Sequence, residues 1–177
     1  MINKTAIGGC KQRPPNSQEA SVIKKDHLRD YITEAFRLYA RLGCRSYEQV
    51  KQLISDDALD ISLIGRDPAL QAVMTENALK HSEPMLLDIL AVERTLEMLE
   101  LGEKQHIARA VRDVYFVQPF KPLRKGDITD RVRWVSLAEP VSEKQVYRWL
   151  KYARLLCAAV RGLRLDEKGI AVIGKVI

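Results

Sequence analysis

The sequence predicts an all-α helical bundle that ends in a C-terminal helix-turn-helix domain. Three observations predict it. Apolar residues recur at three- and four-residue spacing over several long segments, the pattern of helices that bury one face. Helix start signals stand ahead of several of them: Ser-x-x-Gln at Ser46 and at Ser142, and Asp67-Pro68. β-branched alternation is scarce outside the segment GIAVIGKV near the C-terminus, which fits either a strand or an apolar tail.

Residues 1–18 hold Gly8, Gly9, Pro14 and Pro15 with several basic residues and read as a flexible basic arm. A long helix is expected over 19–42, with Leu28, Tyr31, Ile32, Ala35, Leu38, Tyr39 and Leu42 on one face and Gly43 at the stop. That face is the expected homodimer contact, through Leu38 and Leu42. Ser46 opens a second helix with Tyr47, Val50, Leu53 and Ile54 inside. The segment from Asp56 to Asp67 reads as a connection, with a short strand over 61–64 as the alternative. Asp67-Pro68 starts a helix to about His81, and Ser82-Glu83-Pro84 restarts the chain into a longer one ended by Gly102. A helix over 103–116 should bury Ile107, Ala110, Val111, Val114 and Tyr115. The Pro-rich segment FVQPFKPLRKGD then makes a loop with three basic residues. Two helices follow across a tight turn, the first with Val132, Val135 and Leu137 as core positions, the second opening at Ser142. In domains, this gives the arm 1–18, an N-terminal helical region 19–83, a helix-turn-helix unit 84–164 and an apolar tail 165–177.

Charge separates the chain into blocks. Residues 1–45 hold nine Lys/Arg against four Asp/Glu, 46–102 four against eleven, and 103–164 fourteen against six. The basic excess thus coincides with the helix-turn-helix, as a phosphate-binding footprint would. The acidic middle suits a protein partner or packing against the basic parts. No apolar run reaches the ~20 residues of a membrane span, and no apolar secretory segment is expected at the N-terminus. Cys10, Cys44 and Cys157 lack metal spacing; Cys157 falls on an apolar face as a reduced core thiol, which argues for a cytoplasmic protein.

The helix from Ser142 carries the functional argument. Val146, Trp149, Leu150, Ala153, Leu156, Cys157 and Val160 share one face. At about 100° per residue, Lys144, Arg148, Lys151 and Tyr152 fall opposite, with Gln145, Tyr147 and Arg154 on the flanks. The second helix of a helix-turn-helix reaches base edges with its N-terminal residues. Arg and Lys suit guanine and Gln suits adenine, so Lys144, Gln145 and Arg148 are the expected base readers. Lys151 and Arg154 suit phosphates, and Arg131 and Arg133 of the preceding helix join the DNA-binding set.

Residues from about 85 to 160 also resemble the sigma-70 region that reads the −35 promoter element, and more specifically small phage transcription regulators of the ArpU and RinA type. The helix DILAVERTLEMLE, the helix HIARAVRDVYF and the pattern PVSEKQVYRWLKYAR carry the likeness. It implies a phage or prophage regulator that binds double-stranded DNA, with RNA polymerase as a partner.

No enzyme chemistry is expected. His27, His81 and His106 are scattered, no nucleophile-elbow, zinc or phosphate-loop motif occurs, and Asp56, Asp57 and Asp60 read as a solvated loop. No cofactor and no metal are expected. Two other readings stand beside the regulator: a small-terminase-like DNA-recognition subunit that forms rings, and a helical adaptor that binds no nucleic acid.

Overall fold

The computed structural model describes residues 26–61 and 68–174, and among these every element is helical. The helices are α1 (His27–Arg41), α2 (Tyr47–Ile61), α3 (Pro68–Leu101), α4 (Gln105–Val111), α5 (Asp127–Ala138), α6 (Glu143–Val160) and α7 (Glu167–Gly174); a π-helical turn (Arg112–Phe116) continues α4. None of the described helices is long and apolar enough to cross a membrane. The basic arm 1–18 and the expected helix start at Glu19 lie outside the described residues.

Local chemistry sets most of the ends. Asp26 caps α1, its carboxylate accepting from the Arg29 N–H at 3.0 Å. At the other end the N–H of Gly43 bonds Ala40 O at 3.0 Å and that of Cys44 bonds Tyr39 O at 3.0 Å, the paired bonds of a Schellman stop. Gly43 takes a φ of +72°, which is why glycine stands there. After α3 the left-handed residue is Glu103, while Gly102 is needed for closeness: a Cβ on it would lie 2.9 Å from Met98 O.

Four expectations about elements change. The segment from Asp56 to Ile61 continues α2, because Val50, Ile54 and Ala58 extend one face at four-residue spacing and Ala58 is buried. Residues 62–64 of the alternative strand lie outside the described residues. Pro84 does not restart the chain but sits within the single helix α3. Proline's fixed φ is helical, and the lost bond to the Lys80 carbonyl is tolerated where Leu86, Ile89, Val92, Leu96 and Leu99 bury the following turns. The boundary expected between residues 83 and 84 therefore falls inside a helix. Finally, GIAVIGKV is helical through Gly174, started by Asp166, whose carboxylate accepts from the Gly169 N–H at 2.7 Å.

One core joins the described helices. Ile32, Phe36 and Tyr39 of α1 meet Val92 and Leu99 of α3, Val111 and Tyr115 beyond, and Val146, Leu150 and Cys157 of α6. The rings of Phe36 and Tyr115 stack with centroids 5.5 Å apart. The α1 face expected to dimerise is thus used within the chain: Leu42 packs against the core and Leu38 is half-buried. Leu137, expected inside, is 75% exposed, since α5 buries only Val132 and Val135.

Among the described residues Arg37 is the one charged side chain buried in this core, 2% exposed. Its guanidinium donates to the carbonyls of Gln118 (3.3 Å), Pro119 (2.8 Å) and Lys121. It thereby satisfies a loop that has no ladder of its own. Burial pulls its pKa below the usual arginine value.

Candidate nucleic-acid interface

The α5–α6 unit is built around a four-residue turn. Glu139 leaves α5 in an extended conformation, and the Val141 N–H bonds Glu139 O at 2.5 Å. Ser142 is extended and caps α6, its Oγ accepting from the Gln145 N–H at 3.3 Å. Three side-chain contacts hold the geometry. Arg109 of α4 pairs with Glu139 at 2.5 Å, Arg133 of α5 with Glu143 at 3.5 Å, and the Tyr147 hydroxyl meets Thr129 Oγ1 at 3.3 Å.

The inner face of α6 is as the spacing predicts. Val146, Leu150, Ala153, Leu156 and Cys157 are buried, and Trp149 is half-buried, edge-on to His106 at 4.7 Å. Burial pushes the Cys157 thiol up to about 12, so it stays neutral. Among the described residues no group of three or more His, Cys, Asp or Glu is placed to hold a metal ion.

The outer face divides the expected DNA-binding set. Lys144, Tyr147, Arg148 and Lys151 are exposed, and Gln145 is half-buried. Gln145 Oε1 accepts weakly from Arg148 at 3.4 Å. Tyr152 is a correction: it is buried, with the Lys104 ammonium 5.4 Å from its ring centre. Angular position alone places it outside, but the helices packed against α6 bury it, and Lys104 at the start of α4 lies over its ring. Arg131 and Arg154 are half-buried and committed, Arg131 to Val114 O at 2.8 Å and Arg154 to the Tyr115 hydroxyl at 2.6 Å. Arg133 is exposed but paired with Glu143.

A cleft of about 630 Å³ borders this face. It is lined by Arg124, Lys125 and Gly126 of the loop before α5, by Tyr147 and Arg154 of α6, and by Arg29 of α1. Arg124 and Lys125 are visible in the sequence as basic loop residues but have no periodicity that assigns them to the site, because only the tertiary fold brings the loop to α6.

The cations of the described residues divide into paired and unpaired ones. Arg41, Arg109, Arg112 and Arg161 each hold a carboxylate within 2.6 Å. Among the described residues Arg124, Lys125, Lys144, Arg148 and Lys151 hold none, and Arg45, Lys51, Arg94, Arg164 and Lys168 away from this surface hold no carboxylate either. No protein-family model, curated protein or solved structure matches this chain.

Proposed function

We propose that the chain is a sequence-specific DNA-binding transcriptional regulator that reads double-stranded DNA through a helix-turn-helix made of α5 and α6. The observation that carries this reading is the unpaired stripe Lys144, Arg148, Lys151 on the exposed face of a helix whose opposite face is locked into the core. A rigid helix with free cationic side chains in its first turns fits the major groove. Lys144, Gln145 and Arg148 are the base readers, and Lys151 binds phosphate. A promoter-proximal role in a phage or prophage, with RNA polymerase nearby, extends the reading along the sequence likeness.

The test is fluorescence anisotropy on a labelled duplex from upstream of the chain's own coding sequence and on its scrambled counterpart. Arg148→Ala is expected to lose about 1–3 kcal/mol of discrimination between the two. Wild-type protein that binds neither duplex at low salt rules the reading out.

A second reading is favoured by one observation. Trp134 and Leu137 are each 75% exposed, and Trp134 borders a groove lined also by Val117, Val135 and Ala138. A helical adaptor would use such a surface for a protein partner, and it predicts no DNA affinity.

A further inference from the structure

We propose that the basic loop before α5 forms a second, sequence-independent DNA contact, holding backbone phosphates beside the helix that reads the groove. The inference rests on the DNA-binding reading above and assigns to that reading residues outside α6.

Placement is the first argument. Lys121, Arg124 and Lys125 are exposed on a segment whose carbonyls are tied inward to Arg37. Arg124 and Lys125 line the cleft that Tyr147 and Arg154 close from the α6 side. Tyr147 stands between Lys144 and Lys151 in sequence, so the cleft borders the exposed stripe. From Lys144 to Arg154 the helix advances about 15 Å, about four base-pair rises along a strand. The loop therefore serves a different stretch of backbone from the one beside the first turn of α6.

Chemistry is the second argument. The cleft also holds two carboxylates, but both are occupied: Asp30 by Arg29 at 3.3 Å and Glu34 by Arg41 at 2.5 Å. Among the described residues, Arg124 and Lys125 have no such partner. Thr33 and Thr129 line the same space. Tyr147 and Arg154 are engaged with Thr129 and Tyr115, so Arg124 and Lys125 supply the donors, and side chains of these types bind phosphate oxygens without reading bases.

The probe is a labelled random-sequence duplex titrated across a salt series, alongside the upstream and scrambled duplexes. Arg124→Gln with Lys125→Gln should weaken binding to all three equally, by about tenfold, and reduce the salt slope by about 2. Arg124→Lys with Lys125→Arg should restore the slope, which excludes a folding defect as the cause. Arg45→Gln removes an exposed charge beyond the far end of α1 and should leave the slope unchanged. An unchanged slope in the double Gln variant, with binding still dependent on Arg148, overturns this inference and spares the DNA reading. Selective loss on the upstream duplex overturns it as well, since the loop would then read bases. No binding by wild type to any duplex overturns both.

Discussion

Two helices of this chain begin with nearly the same five residues, Ser-Tyr-Glu-Gln-Val at α2 and Ser-Glu-Lys-Gln-Val at α6. At α2 the capping box closes: the Gln49 N–H bonds Ser46 Oγ at 3.3 Å, and Gln49 Oε1 accepts from the Ser46 N–H at 2.9 Å. A carboxylate from α3 adds to it, Glu93 accepting from the Tyr47 N–H at 3.0 Å. At α6 only the serine half forms, and the Gln145 side chain turns to Arg148 instead. The third residue differs too. Glu48 agrees with the positive end of its helix dipole, whereas Lys144, next to the favourable Glu143, opposes it. One start obeys the local rules of stability and the other departs from them twice, in the same few residues proposed to meet DNA. Departures of this kind concentrate where function competes with stability.

Three sets of substitutions separate the two helix starts. The fifth residue of each motif, Val50 and Val146, is buried in the shared core. Either valine changed to alanine should cost about 2–3 kcal/mol in chemical denaturation; a loss at one site only would mean that the two starts are not packed alike. The caps come next. Gln49→Ala should destabilise by about 0.5–1.5 kcal/mol, the worth of one hydrogen bond, whereas Gln145→Ala should stay within about 0.5 kcal/mol of wild type. Equal costs would show that Gln145 caps its helix in solution. The smallest effect has the opposite sign: Lys144→Glu should raise stability by about 0.3–1 kcal/mol while abolishing DNA binding. A variant that binds as wild type removes Lys144 from the interface.

Both Ser-x-x-Gln motifs were legible because a cap and the spacing behind it are local properties. The inner face of α6 was legible for the same reason, as were the buried positions of α4 and the π turn. What escaped depends on neighbours. Pro84 reads as a break until the buried leucines after it hold the helix together. Tyr152 reads as an outer residue until α4 is packed over it. The α1 face reads as a dimer contact because a sequence shows that a surface is apolar but not which surface covers it. Arg124 and Lys125 escaped as site residues because a loop has no periodicity from which a direction can be read. The arginines of the expected set divide similarly, since residue type gives the charge of Arg131 and Arg154 but not the carbonyl and the hydroxyl that occupy them.

Arg37 has a thermodynamic consequence for the loop it holds. Its donors cross to Pro119, 82 positions along the chain, so opening the loop would strand a guanidinium among apolar side chains. The loop is therefore part of the cooperative unit that melts with the core rather than a segment that orders on contact. Its conformational entropy is lost during folding, and a ligand arriving at Lys121, Arg124 and Lys125 meets backbone already in place. Association through this loop should accordingly lack the large negative heat-capacity change that accompanies folding on binding, with the release of counterions supplying its entropy.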